Sequence, residues 1–117
     1  MDSRSDPRLN RDLASPDEPY ALKDAKERRQ RSDRLHDPRV APLTPFVRSL
    51  RLMSRKTVPD FDPHDGGVEA RALFLLEAPG RQAVATGFIS RNNPDPTARN
   101  MCQLLATVGI PRTATLL

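Results

Sequence analysis

One continuous apolar segment constrains the fold of this chain more than any other feature of its sequence. Residues 71–76 read Arg-Ala-Leu-Phe-Leu-Leu, with Gly66-Gly67 before them and Pro79-Gly80 after them. A short apolar run between turn residues is typical of a strand that is buried on both faces in a parallel sheet. The sequence therefore predicts an α/β fold in which helices cover this strand.

A second parallel strand is expected at residues 113–117, which read Thr-Ala-Thr-Leu-Leu. A right-handed crossover connects two parallel strands, and a stable sheet usually needs at least three. The sequence supplies one full strand and the start of another. We therefore expect an incomplete parallel sheet.

The segment between the two strands predicts a helix from about residue 96 to residue 108. Asp95 can cap its amino terminus, Pro96 suits the first helical position, and Gly109 suits the residue after its end. Cys102 lies inside this helix, and we interpret it as a packing residue because neither histidine has the context of a catalytic triad. The expected apolar stripe consists of Ala98, Met101, Leu104, Leu105 and Val108.

A basic helix is expected to begin at Thr44-Pro45, with Thr44 as its cap. Residues 46–57 contain four basic side chains and no acidic one, and they hold the whole positive excess of the net charge of +4. The arginines of this helix either face solvent only or contact a phosphate backbone. The expected apolar face is Phe46, Val47, Leu50 and Met53, and the basic residues are Arg48, Arg51, Arg55 and Lys56.

The first 40 residues are expected to lie largely outside the domain, which would comprise residues 41–117. Residues 1–14 are polar and aperiodic, which is typical of a disordered tail. Ser15-Pro16-Asp17-Glu18 carries a capping box that predicts a helix ending near His36. This helix has few apolar residues, so we expect it to be solvated and weakly docked.

Composition excludes several classes of protein. No run approaches 18 apolar residues, no apolar signal segment follows Met1, and the single cysteine cannot form an intrachain disulfide or a four-cysteine metal site. The default expectation is a soluble, cytoplasmic protein. The turn-rich connector, residues 58–67, contains three aspartates, but Pro63 and His64 break the spacing of a calcium loop, so turn chemistry is expected there.

Four short motifs resemble the amino-terminal half of bacterial members of the uracil-DNA glycosylase superfamily. They are residues 58–67, Leu75–Gly80, Gly87–Ser90 and Asn93–Asn100, and the resemblance covers about two-thirds of the chain. It implies part of a three-layer α/β fold that hydrolyses the N-glycosidic bond of a uracil flipped out of DNA. It also implies a DNA partner, no cofactor or metal, no membrane association and a monomeric state.

The resemblance also assigns roles to residues. Glu77, which ends the apolar strand, and Ala78 match the loop that activates water, and Pro79 and Gly80 complete the same loop. Phe88 matches the aromatic platform for the extruded base, and Asn93 matches a substrate-binding position. The segment that would grip the flanking phosphates is Pro94, Asp95, Pro96 and Thr97, and Arg48 and Arg51 are the further candidate DNA contacts.

The chain departs from the family pattern in two ways. Ala78 stands where strong catalysts carry a carboxylate, and Leu76 replaces a glycine. The family's uracil-reading asparagine and its histidine motif would both lie beyond Leu117. We therefore expect an inactive, truncated homologue with half of an active site, which a complementing carboxy-terminal chain could complete. The alternatives are a small basic nucleic-acid-binding module and a protein that docks on a partner through its amino-terminal helix.

Overall fold

The structure is a computed structural model, and it describes residues 18–76 and 78–117. Helices and very short strands alternate along these residues. The predicted α/β class is confirmed in this coarse form. The helices are α1 (Ala25–Asp33), α2 (Thr44–Ser54), α3 (Arg81–Thr86) and α4 (Pro96–Thr107). The strands are β1 (Asp60–Phe61), β2 (Ala72–Leu73), β3 (Phe88–Ile89) and β4 (Thr115–Leu116), and 3-10 turns span Ala21–Lys23, Ala41–Leu43, Gly67–Glu69 and Arg112–Ala114.

The strands form two separate parallel pairs. β2 pairs with β4, with Ala72 opposite Thr115, which confirms the predicted pairing of the apolar run with the last residues. β1 pairs with β3, with Asp60 opposite Phe88. The second pairing was not expected, because a two-residue strand is too short to show an alternating pattern.

The apolar run is exposed, so the prediction that it is buried on both faces is wrong. Only Ala72 and Leu73 form a strand, and the side chains of Leu73 and Leu75 are 61% and 87% exposed. β4 covers one edge of β2, and the sheet contains no other strand among the described residues. A continuous apolar sequence predicts burial only when layers cover both faces of the strand, and residues 18–76 and 78–117 leave Leu73 and Leu75 exposed.

The amino-terminal helix is shorter and better docked than predicted. The expected cap, Ser15, lies outside the described residues. α1 begins after Asp24, whose Oδ1 accepts a hydrogen bond from Lys26 N at 2.9 Å. Most of α1 is exposed to solvent, as expected, but its docking is not weak, because Arg31 in α1 and Leu22 just before it are both fully buried.

Both helices that the capping signals predicted are present, but only one has its predicted cap. Asp95 caps α4 by accepting a hydrogen bond from Ala98 N at 2.8 Å, and Gly109 adopts a φ of +73°, as its position after the helix requires. α2 begins at Thr44, but Thr44 is itself helical and its side chain does not cap the helix. The expected apolar faces are only partly buried: Val47 and Leu105 are enclosed, whereas Met53 and Val108 are exposed.

The hydrophobic core is small and is interleaved with charge. No helix in the described ranges is long and apolar enough to cross a membrane. Arginine, aspartate, asparagine, serine and threonine side chains are buried beside the apolar ones. The buried apolar residues larger than alanine and cysteine are Leu22, Val40, Val47, Phe88, Leu105, Leu116 and Leu117.

Candidate functional site

The candidate catalytic loop follows the β2 segment at the surface. Ala78, Pro79 and Gly80 are exposed, and α3 begins at the next residue. Glu77, the predicted water-activating residue, lies outside the described residues. Hydrogen bonding to β4 continues one residue past β2, because Phe74 N donates a hydrogen bond to Leu116 O at 2.8 Å. The loop therefore leaves the carboxyl end of a parallel strand, where open α/β sheets usually bind ligands.

Phe88 is not available as a stacking platform. The sequence predicts a loop or short extended piece over residues 83–90 that exposes Phe88. The extended piece is present as β3, but the chain before it is helical to Thr86, and Phe88 is only 4% exposed. Phe88 belongs to the strand pair of β1 and β3, which the sequence pattern did not reveal, and it is buried there. Stacking on an extruded base would require the ring to leave the core.

The side chain of Asn93 fixes a turn. Its Oδ1 accepts a hydrogen bond from Thr86 Oγ1 at 2.6 Å, and its Nδ2 donates to Phe88 O at 2.9 Å. Asn93 is buried, so both ends of the amide are satisfied within the protein. The structure therefore brings two predicted substrate-binding residues, Phe88 and Asn93, into contact, and it does so by packing and hydrogen bonding.

Residues 94–97 precede and open α4. Asp95 N donates a hydrogen bond to Asn93 O at 2.8 Å, and the Asp95 carboxylate accepts a hydrogen bond from Ala98 N. That carboxylate already places a negative charge at the helix terminus, which lowers the attraction of this terminus for a phosphate. Pro96 and Thr97 are exposed at the surface.

The two candidate arginines of α2 differ in their surroundings. Arg51 Nε donates to Val58 O at 2.8 Å, and its Nη2 lies 3.1 Å from Asp60 Oδ1. These contacts hold the end of α2 against β1, which gives Arg51 a structural role. Arg48 is exposed, so it is the better placed of the two to meet a phosphate.

A buried charge cluster is the feature that sequence reasoning missed. Asp62 Oδ2 lies 2.6 Å from Arg31 Nη1 and 2.7 Å from Arg112 Nη2, and it accepts a short hydrogen bond from Ser90 Oγ. Asn92 Oδ1 accepts from Arg31 Nη1 at 2.9 Å. The cluster therefore joins α1, the connector, the turn after β3 and the 3-10 turn before β4.

A second carboxylate extends the cluster toward β4. Asp65 Oδ1 accepts from Arg112 Nε at 2.9 Å and lies 3.7 Å from Arg91 Nη2. Asp65 Oδ2 accepts from Leu117 N at 3.2 Å, and Arg91 also donates to Thr115 Oγ1 at 2.5 Å. The Nε of Arg91 is buried without a hydrogen-bond partner.

The protein shifts the pKa values of the two carboxylates, Asp62 and Asp65, in opposite directions. Burial alone would raise the pKa of Asp62, but the guanidinium groups of Arg112 and Arg31 outweigh it and hold that pKa below its usual range. Burial raises the pKa of Asp65, and the neighbouring charge of Asp62 adds to this effect. Burial likewise lowers the pKa of Arg91.

The connector carries the sequence signal that could have located the cluster. Turn chemistry was predicted there, and it is confirmed, because Asp62 Oδ1 accepts a hydrogen bond from His64 N at 2.9 Å. The remaining acceptor of Asp62 then points to cations that lie 31 and 50 residues away in sequence. No local pattern identifies partners at such separations.

Other chemistry is sparse in the described ranges. They contain no group of three or more His, Cys, Asp or Glu side chains placed to hold a metal ion. An open cleft between α1 and the connector contains none of the predicted site residues. It is lined by Glu27, Gln30, Asp33, Arg34 and His64.

Comparison with protein-family models, with curated proteins and with solved structures finds no match to this chain.

Proposed function

We propose that this chain is a DNA-binding protein of the base-excision type, built on part of the three-layer α/β fold of the uracil-DNA glycosylase superfamily. We further propose that the 117-residue polypeptide binds DNA but releases no uracil. The observation that carries the proposal is the exposed turn Ala78–Gly80 at the carboxyl end of the β2 segment, which pairs in parallel with β4.

The motifs that suggest the function belong to one structural unit. The turn Ala78–Gly80 leads directly into α3, and α3 packs against β3. The Asn93 amide ties the end of α3 and β3 to the segment that opens α4. An exposed loop and an exposed helix start, held by one hydrogen-bonded turn, make a surface on which a nucleic-acid backbone can be positioned.

The proposed lack of excision has a structural reason. Phe88 is buried, and the amide of Asn93 is fully engaged, so neither presents a free group to an extruded base. Recognition of a flipped base needs stacking and hydrogen bonds to its pairing edge. We therefore expect DNA to be bound by exposed cations such as Arg48 and by the main chain of the turn Ala78–Gly80.

Binding and excision are measured on one preparation. Fluorescence anisotropy with a labelled oligonucleotide that contains one uracil should show affinity that falls as salt rises, and chromatography of the same mixture should show no free uracil. Absence of DNA binding would contradict the proposed function, and release of uracil would contradict the proposed inactivity.

Matched charge reversals identify the surface. Arg48→Glu should weaken DNA binding about tenfold, because it replaces a phosphate contact with a repulsive charge. Arg29→Glu makes the same change at another exposed helical arginine and should have little effect. Equal effects of the two substitutions would indicate attraction by net charge alone.

A basic binding module without any glycosylase ancestry is the second candidate. It is favoured by the exposure of Arg48, Arg55 and Lys56 in a segment that lacks acidic residues. Gly80→Asp distinguishes the two candidates, because it places a negative charge on the loop, where a new side chain meets no atom within 4 Å. The base-excision proposal expects weaker DNA binding, whereas the module expects no change.

A further inference from the structure

The exposed side of α2 combines apolar and basic side chains. Phe46, Leu52 and Met53 are 53%, 81% and 82% exposed, and Arg48 is exposed on the same helix. Single apolar side chains at a surface are ordinary, but a group of them indicates a binding surface. Three large apolar residues within one helix of 11 residues form such a group.

Helical spacing places these side chains on the side of α2 that faces away from the core. Residues three, four and seven positions apart lie on the same side of a helix. Phe46 and Met53 are seven positions apart, and Leu52 follows Arg48 by four. Val47, the buried residue of α2, lies on the opposite side. Apolar and basic rows therefore lie next to each other on one exposed surface.

The charge on this side of α2 is positive. Residues 46–57 contain no acidic side chain, and Arg55 and Lys56 are exposed just after the helix. α2 packs mainly against the 3-10 turn at residues 41–43, which has no acidic residue, and against β1. The acidic residue of β1, Asp60, is paired with Arg51. These neighbouring elements therefore supply no carboxylate to balance Arg48, and a complementary partner must carry both negative charge and apolar surface.

We propose that the exposed side of α2 binds single-stranded DNA, with the ring of Phe46 stacked on an unpaired base. Arg48, Arg55 and Lys56 contact the flanking phosphates. α2 thus belongs to the DNA-binding surface proposed above, on which this assignment rests, and it selects unpaired DNA. Aromatic stacking is available to every base, so the contact tolerates any sequence.

A duplex complements this surface poorly. Paired bases stack on one another, so the outside of a duplex offers phosphates and the edges of bases in its grooves. Phe46, Leu52 and Met53 would then remain in water or lie against charged phosphates. A single strand exposes the faces of its bases, which apolar side chains can cover, and its phosphates alternate with those bases.

A lipid surface also complements it less well. A helix that lies in a membrane interface needs a continuous apolar face with its cations on the polar side. In α2 the apolar residue Val47 is buried in the protein and Leu50 is half-buried, so both are turned to the core. Arg48 stands beside Leu52 on the exposed side itself. This mixture of cations and apolar groups favours a strand of alternating bases and phosphates.

A single tryptophan tests the stacking contact. The chain contains no tryptophan, so Phe46→Trp places one fluorescent reporter at the proposed platform. A single strand of about 12 nucleotides should quench its emission strongly, and the duplex of the same sequence should quench it weakly, because only unpaired bases can stack on the indole ring. Leu104→Trp, at a 61% exposed position in α4, is the matched control and should respond weakly to both.

Affinity measurements test the selection of unpaired DNA. Fluorescence anisotropy of the 117-residue chain should show about tenfold tighter binding of the labelled single strand than of the duplex at equal salt concentration. Phe46→Ala should weaken single-strand binding about tenfold, whereas Leu104→Ala should leave it unchanged. Far-ultraviolet circular dichroism of each variant verifies that it is folded.

The outcomes separate this inference from the function on which it rests. Equal affinity for the two forms of DNA, or single-strand binding that survives Phe46→Ala, would overturn the role of α2 and leave the proposed DNA binding intact. Binding to neither form would contradict both. Binding to vesicles of phosphatidylserine and phosphatidylcholine that Phe46→Ala abolishes, without any preference for single strands, would assign α2 to a membrane surface and overturn the inference.

Discussion

The Nη1 atom of Arg31 lies 2.6 Å from Oδ2 of Asp62, and neither side chain is exposed to solvent. This contact joins a helix from the charged amino-terminal region to the connector before β2. A buried ion pair is weak evidence for net stabilisation, because the desolvation of both ions opposes their attraction. Loss of one partner is costly, however, since it leaves the other charge buried with fewer compensating contacts.

The first prediction concerns this pair. Arg31→Met should lower the free energy of unfolding by about 3 kcal/mol or more, because Asp62 and Asn92 lose a buried donor. Arg29→Met removes an exposed arginine from the same helix and should change the free energy of unfolding by less than about 0.5 kcal/mol. Urea denaturation followed by circular dichroism measures both. Equal effects would show that α1 is not anchored through Arg31.

The second prediction concerns pH. The pKa of Asp62 is lower in the folded chain than its ordinary value of 3.8, so its contribution to stability is present above pH 3.8 and is lost as pH falls through the lower folded-state value. The pKa of Asp65 is raised, so its contribution is present below pH 3.8 and is lost as pH rises through the raised value.

Asparagine substitutions separate these two contributions. Asp62→Asn should lower the urea midpoint at pH 7, and it should lower the midpoint less at acid pH. Asp65→Asn should lower the urea midpoint less at pH 7, because burial disfavours the ionised form of the carboxylate that it removes. Urea titrations at pH 3 and pH 7 measure both variants. A larger cost at pH 7 for Asp65→Asn than for Asp62→Asn would reverse the assigned order.

Local sequence signals predicted the helices α2 and α4 and missed the long-range contacts. Asp95 and Pro96 mark the start of α4 because capping depends on neighbouring residues only. Arg31 reads as a surface residue of a polar helix, and its burial depends on Asp62, which lies 31 residues away. The same reason applies to Phe88, because its strand pairs with β1, which is distant in sequence.

The third prediction concerns close backbone approach. A Cβ at Gly66 would lie 2.0 Å from Thr113 O, so Gly66→Ala should destabilise the chain by about 3 kcal/mol or more. Gly80→Ala is the matched control, because a Cβ there meets no heavy atom within 4 Å and should change stability by less than about 0.5 kcal/mol. Thermal unfolding compares the two. Similar stability of both variants would show that the Gly66 turn is not packed against the turn before β4.

The fourth prediction concerns Cys102, the packing residue on the inner face of α4, which is 8% exposed. A thiol-reactive dye should label the folded chain far more slowly than the chain in urea, because the thiol must first leave the core. The unfolded sample provides the reference rate. Labelling of the folded chain at that rate would contradict the packing of α4 against the core.

The account of function depends most on where DNA contacts the chain. Amide chemical shifts of the 117-residue chain, recorded with and without a uracil-containing oligonucleotide, test this directly. The account predicts shifts at Arg48, Ala78, Gly80 and Thr97, and none along the cleft beside α1. Shifts confined to that cleft, or no shifts at DNA concentrations that saturate the anisotropy signal, would contradict it.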